Sequence, residues 1–343
     1  MVGMSGGVDS SVAASLLLER GYEVLGATLL LTDSIESNQK MIEDAKSVAS
    51  TLGINHITID LKKEFKEKVI DYFTHEYLIG RTPNPCVVCN RNIKFGLMLD
   101  KALELNCDYL ATGHYAKIVY NKNTNRWLLQ KNNSKKDQSY FLHRLTQKQL
   151  SHALFPLADF NKNEIRTIAE KYHLSVAEKK ESQDICFVKD ENHASFIENY
   201  THIKSPQGNF IDIHGNILGL HKGITNYTIG QRKHLGISLG KPMYVINISG
   251  SQNRITLGEH SEGACSSLIV EDINLIAYEY LKTEIDALIK VRARAESVPC
   301  KIIPLNNNSV KVVFKEQQFF PAPGQCAVFY DTKGYVLGGG FIK

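Results

Sequence analysis

Apolar and polar positions along the first hundred residues follow two periods, one helical and one extended. Residues 10–21, SSVAASLLLERG, put apolar side chains at helical spacing and stop at Gly21. Residues 22–31, YEVLGATLLL, form a nearly continuous apolar run, as a strand covered on both faces requires. The pair then recurs, with a helix over 38–53 ending in glycine and a strand over 54–61. A long helix around 62–78, a loop with two cysteines, a helix over 92–106 and a strand over 108–114 follow. This alternation predicts a parallel sheet with helices on both faces, and ligands of such sheets bind beyond the carboxyl ends of the strands. Gly7, Gly113 and His114 are expected on that edge.

Beyond about residue 200 the texture changes. Residues 205–223 are rich in glycine and short β patterns, which predicts a small β-rich module. From about 267 the chain alternates with period two, as in KVRARAESVPCKIIPL, NSVKVVFKEQQ and GQCAVFYDTKGYVLGGGFIK. Turn clusters at 306–308 and 331–334 separate these runs, so a small antiparallel barrel is predicted, with Arg292 and Arg294 alternating on one strand. The expected organisation is a nucleotide-binding α/β domain over 1–203, a β-rich linker domain over 204–265 and a β-barrel over 266–343.

Composition narrows the class. The 343 residues are 43% hydrophobic and 22% charged, ordinary for a globular protein and too many for one typical domain. No apolar run is long enough to span a membrane, and MVGMSGGVDSS has none of the parts of a signal peptide, so a cytoplasmic protein is expected. A net charge of +4 is compatible with a nucleic-acid partner without arguing for one. Seven irregularly spaced cysteines in a reducing compartment imply thiols, some of them reactive.

The first candidate chemistry lies in SGGVDSS, residues 5–11, between a predicted strand and a helix. Gly6 and Gly7 let backbone amides approach an anion, serine hydroxyls add donors, and the helix N-terminus adds its dipole. The loop has no lysine and no G-x-x-x-x-G-K-[ST] pattern, which excludes the common P-loop. S-G-G-x-D-S is instead similar to the loop of the N-type ATP pyrophosphatases, which split ATP between the α and β phosphates and adenylate a carbonyl oxygen. That resemblance implies that Asp9 faces the phosphates through Mg²⁺, and that Leu29, after the second strand, contacts adenine through its backbone.

The second candidate is NPCVVCN, residues 84–90. Cys86 and Cys89 could be half of a zinc site, whose other ligands would have to be Cys107 and His114, or they could be a redox pair. A third reading pairs one of them with Cys186, in ESQDICFV. Cys89 precedes a predicted helix and has Arg91 and Lys94 nearby, features that favour a thiolate. Cys107, Cys265, Cys300 and Cys326 read as packing residues. ATP activation combined with two separated thiols suggests thiolation, because a carbonyl oxygen leaves poorly until adenylated and a second thiolate resolves a persulfide by exchange.

Taken together, GMSGGVDSSVA (3–13), GRTPNPCVVCNRNIKF (80–95), ATGHYA (111–116), KDQSYFL (136–142), SQDICF (182–187), YTIGQRKHLGI (227–237) and PGQ (323–325) resemble the bacterial tRNA-specific 2-thiouridylases over essentially the whole chain. The resemblance implies an adenine nucleotide alpha hydrolase-like first domain and ATP-dependent thiolation of C2 of the wobble uridine of tRNA. It implies that Cys89 is the nucleophile, that Cys186 carries a persulfide, and that the two form a transient disulfide. It places ATP on Gly3, Met4, Ser5, Gly6, Gly7, Val8, Asp9, Ser10, Leu29 and Gly113, with Mg²⁺. The flipped target base falls to Asn84, Pro85 and Cys86, and tRNA contacts to His114, Lys136, Asp137, Gln138, Arg292, Ala293 and Gln325. A persulfide donor protein, a cysteine desulfurase or a relay carrier, is the implied partner, with no membrane involved. Some relatives carry aspartate at Cys86, glycine is usual at His234 and tyrosine at Ala293, and relatives have several more apolar residues before Gly3 that form the first strand. A different ATP pyrophosphatase, such as a ligase or amidotransferase, would explain the loop but neither the two motif cysteines nor the barrel. A tRNA-binding protein without catalysis would explain neither the intact loop nor the thiols.

Overall fold

The computed structural model describes residues 1–134, 136–177, 179, 185–188, 192–306 and 308–343. Lys135, beside the 136–138 segment, and Ser182, Gln183 and Asp184 of the SQDICF motif lie outside the described residues. The chain forms two compact units, one of residues 1–69, 86–183 and 333–337, the other of 70–85, 184–332 and 338–343.

In the first unit a five-stranded parallel sheet has the order β3-β2-β1-β4-β7, from Asn55–Asp60, Leu25–Leu30, Val2–Gly3, Leu110–Ala111 and Ala153–Leu154. The central strand β1 is two residues long. Backbone bonds extend its pairing at both ends: Met4 N–H donates to Ala27 O at 2.7 Å and Ala111 N–H to Met1 O at 2.8 Å. Helix α1 (Val8–Glu19) follows β1, and helix α2 (Ile35–Leu52) follows β2 and ends on Gly53 in the left-handed conformation. Val8, Val12, Leu16, Ala45 and Val48 join Val2 and Tyr115 in one buried cluster, so α1 and α2 are held by apolar burial. A hairpin, β5 (Ala116–Asn121) with β6 (Arg126–Lys131), leaves the sheet after β4.

Two helical predictions need correction. Residues 62–78 are helical throughout but pass through a π segment, Lys66–Ile70. The helix placed at 92–106 starts earlier: Pro85–Cys89, a π segment Asn90–Met98 and Leu99–Glu104 run on without a break. Proline suits a first helical position because its missing N–H is one that a helix start leaves without an internal partner. The π turns shift the side-chain period away from 3.6, which hid the true start from the apolar pattern.

Most of the remaining β structure lies in the second unit. The middle sheet has the order β10-β11-β8-β9, from Tyr244–Ser249, Arg254–Gly258, Gly208–Ile211 and Ile217–His221. The closed barrel runs β12-β15-β14-β13-β16-β17, from Ala264–Leu275, Ser309–Phe319, Val298–Asn306, Ile285–Lys290, Cys326–Tyr330 and Val336–Ile342, with β12–β15, β15–β14, β14–β13, β13–β16 and β17–β12 antiparallel. Arg292 and Arg294 do not alternate on a strand, because 291–297 is the turn between β13 and β14. V-R-A-R-A has period two, but β13 pairs with β14 only up to Ile289 and Val298, and the chain reverses between them.

Candidate active site

The phosphate loop occupies the carboxyl edge of the sheet. Gly6 has φ of 63°, and Gly7 is the N-cap of α1 with extended φ of −113°. A glycine N-cap offers no side-chain acceptor, so the first-turn amides of α1, which lack intrahelical acceptors, remain for a ligand. Serines set the shape of the loop: Ser5 N–H donates to Ser10 Oγ at 3.2 Å, while the Ser10 and Ser11 hydroxyls donate to Gly7 O at 3.1 and 2.9 Å. Gly3 and Met4 lead into the loop from β1, Val8 and Met4 are buried beneath it, and Leu29 lies one residue before the end of β2. Gly113, just past β4, lies against the first turn of α1. A Cβ there would stand 2.8 Å from the Asp9 carbonyl carbon and 2.9 Å from Ser10 N.

Two cations that sequence reasoning missed converge on this loop. Lys162 Nζ lies 2.6 Å from Asp9 Oδ1, and the Tyr115 hydroxyl donates to the same oxygen at 2.7 Å. Lys179 Nζ donates to Gly6 O at 2.8 Å and to Asp44 Oδ2 at 2.6 Å. A weak signal for Lys162 existed. It is the first residue of helix Lys162–Lys171, behind an Asn161–Glu164 capping box, where the dipole disfavours a cation unless an anion is near. The donor set of amides, hydroxyls and ammonium groups, with the Asp9 carboxylate as the hard oxygen ligand, fits a magnesium–nucleotide.

The cysteines separate by environment. Cys89 is buried a full turn inside the helix that starts at Pro85, not ahead of a helix as the sequence suggested. Cys86 sits in the first turn and keeps surface open to solvent although protein atoms crowd it. Burial pushes its thiol pKa up, and the Lys94 ammonium offsets part of that rise. Cys186 is exposed. Its neighbour Phe187 is buried edge-on against Phe73, with ring centroids 5.2 Å apart, and so anchors the turn that presents Cys186. Cys300 and Cys326 are buried packing residues, and burial raises the Cys300 thiol to about 12. Cys107 and His114 stand at opposite ends of β4, which separates the two ligands that a zinc reading would have needed.

The residues expected to meet tRNA mostly hold backbone. Gln325 donates to Thr82 O at 3.0 Å, and Thr82 N–H donates to Pro323 O at 2.8 Å, so the PGQ turn clamps the segment leading to Asn84 and Pro85. Arg292 Nη2 donates to Ile229 O and Phe320 O, both at 2.9 Å, and Ala293 follows it in the half-buried part of the turn. Asp137 accepts from the Asn132 and Ser139 amides at 3.1 Å, and Gln138 Oε1 accepts from Tyr115 N–H at 3.0 Å. Lys136 is half-buried in the same segment. His114 is also half-buried, between Phe95 and Phe155, and hydrogen-bonded to Thr112 Oγ1 at 2.7 Å. Burial, with Lys94 adding to it, holds its pKa well below the usual histidine value.

His143 behaves likewise: burial, and then the Arg144 and Arg91 charges, bring it to about 3. Both histidines are therefore neutral when folded, and between about pH 6.5 and the lower folded values the unfolded chain binds more protons. Their contribution to stability is complete above about pH 6.5 and is lost as pH falls below it. We expect the melting temperature to drop between pH 7 and 5. A His143→Gln variant, which keeps a donor for Tyr140 O, should show a shallower decline, by up to about 1.4 kcal/mol per pH unit in chemical unfolding.

A parallel sheet with a phosphate loop, a second β sheet and a closed β-barrel define a three-part class of nucleotide-binding protein. Residues 1–190 match the family model described as tRNA methyl transferase HUP domain, 194–259 its PRC-barrel domain, and 265–342 an aminomethyltransferase beta-barrel domain. The tRNA-specific 2-thiouridylase MnmA of Caldicellulosiruptor saccharolyticus is 48% identical, with 100% of this chain and 98% of that protein covered. The proteins of the same name from Acetivibrio thermocellus and Clostridioides difficile are 47% and 46% identical over 100% of this chain and 98% and 97% of theirs. The chain belongs to the tRNA-specific 2-thiouridylase family. Among solved structures, an NMN synthetase from Francisella tularensis is 16% identical and covers 52% of this chain and 64% of its own, with a TM-score of 0.34. No helix among the described residues is long and apolar enough to cross a membrane.

Proposed function

We propose that the protein thiolates C2 of the wobble uridine of tRNA at the expense of ATP. The observation that carries this reading is the phosphate loop: a glycine-capped helix start with Asp9, Lys162 and Lys179 around it, in a chain of this family. In this reading the loop amides and lysines hold the phosphates, Asp9 faces Mg²⁺, and Leu29 meets adenine. The uridine O2 attacks the α phosphorus, pyrophosphate leaves, and C2 carries an adenylate. The terminal sulfur of a Cys186 persulfide then adds to C2 and AMP departs with the C–O bond. Cys89 thiolate attacks the Cys186 sulfur, which frees the thiocarbonyl and leaves a Cys89–Cys186 disulfide; an external thiol must reduce it. A sulfur-carrying protein reloads Cys186. The base lies out of its stack against Asn84, Pro85 and Cys86, and the neutral Cys86 thiol acts as a neighbour to it. His114, residues 136–138, Arg292, Ala293 and Gln325 border the tRNA, directly or by holding the backbone that does.

The test is pyrophosphate release and nucleoside mass spectrometry with unmodified tRNA, ATP, a persulfide donor and a methyl donor. We expect tRNA-stimulated release and 2-thiouridine. Release that ignores tRNA would point to a small-molecule ligase, and methyluridine without thiouridine would favour the methyl transfer that the family model's description names.

A further inference from the structure

The Asp9 carboxylate is oriented from outside its own helix. Tyr115 is 1% exposed and packed in the cluster that holds Val8 and Val12, so its ring has no freedom to swing. Its hydroxyl and the Lys162 ammonium both donate to Oδ1 of Asp9, at 2.7 and 2.6 Å, which turns Oδ2 away from them. The backbone of Tyr115 is gripped on both sides by one residue. Its N–H donates to Gln138 Oε1 at 3.0 Å, and its carbonyl accepts from Gln138 N–H at 2.8 Å. Asp137 braces the same segment through Asn132 N–H and through both the amide and the hydroxyl of Ser139. Gly113, two residues before Tyr115, has no room for a Cβ against Asp9 and Ser10, so the backbone here and the loop share one boundary. Three hydrogen bonds and one immobile ring therefore connect segment 136–138 to the phosphate loop.

We propose that Tyr115 is a positioning residue that aims Asp9 at the magnesium–nucleotide and couples the 136–138 segment to it. The inference rests on the reading above of Asp9 and of segment 136–138. Displacing Gln138 moves the Tyr115 backbone, and the rigid ring passes that displacement to Asp9. RNA against segment 136–138 thus changes nucleotide affinity, and nucleotide must change RNA affinity by the same factor.

Calorimetry on the full chain with an ATP analogue that resists α–β cleavage, in Mg²⁺ and in EDTA, with and without an unmodified tRNA transcript, tests this. Tyr115→Phe keeps the ring and removes one bond to a charged group, so roughly tenfold of the Mg²⁺-dependent affinity is lost while affinity in EDTA is kept. Gln138→Ala removes the tRNA effect on nucleotide affinity, and Gln138→Glu, which retains an acceptor for Tyr115 N–H, restores it. A general loss of packing would lower both affinities and the melting temperature together and would overturn the proposal. So would wild-type Mg²⁺ dependence in Tyr115→Phe or an intact tRNA effect in Gln138→Ala. A wild-type protein that fails to bind the nucleotide overturns the proposed function and this inference with it.

Discussion

Cys89→Ser and Cys186→Ser are each expected to lower 2-thiouridine by at least about a thousandfold, the scale on which loss of a covalent participant acts. Cys86→Ser is expected to leave a substantial part. The asymmetry follows from the chemistry asked of each sulfur. A hydroxyl at 186 cannot hold a sulfane sulfur, and a hydroxyl at 89 cannot open a disulfide bond. Cys86 is asked only to stand beside a base as a small neutral group, which a serine also is, and its raised thiol pKa keeps it protonated at neutral pH. Nucleoside mass spectrometry of tRNA from cells that lack the gene, complemented with each variant, reads all three. Normal thiolation with Cys186→Ser would sink the persulfide assignment. Equal, total loss in all three variants would restore a paired-cysteine site in which Cys86 and Cys89 act together.

How far these residues could be read in advance depended on the range of the contacts that define them. The backbone of the phosphate loop was legible because a strand end, two glycines and a helix start follow one another within seven residues. Part of the barrel was legible from period-two runs such as Ser309–Phe319, whose burial alternates, whereas Cys326–Tyr330 is buried throughout and carries no such period. The start of the cysteine helix was not, because its π segment breaks the 3.6-residue period and Pro85 looked like a loop residue. Arg292 misled for the opposite reason: its local pattern is that of a strand, but the reversal between β13 and β14 overrides it. Lys162 and Asp9 lie 153 positions apart, and no local pattern marks such a pair. The same holds for Gln325, whose grip on Thr82 explains the PGQ motif only once the barrel is closed.

Gly113→Ala should cost about a hundredfold in ATP-dependent turnover while leaving the chain folded. The added methyl would stand 2.8 Å from the Asp9 carbonyl carbon, 2.9 Å from Ser10 N and 3.0 Å from Asp9 Cβ. Two of those three atoms are backbone, so no side chain can swing aside and the start of α1 must retreat. In the proposed reading those amides hold the phosphates, and Asp9 moves with them, away from Tyr115 and Lys162. A displacement of about 1 Å at reacting groups costs on the order of a hundredfold in rate. Gly3→Ala provides the contrast. Its methyl meets the Met98 Cε at 3.3 Å, the far end of a flexible side chain, and the expected loss is severalfold at most. Steady-state pyrophosphate release against ATP concentration separates the two variants, with melting temperatures as the check on folding. Equal activity for Gly113→Ala and wild type would show that the first turn of α1 does not hold the nucleotide.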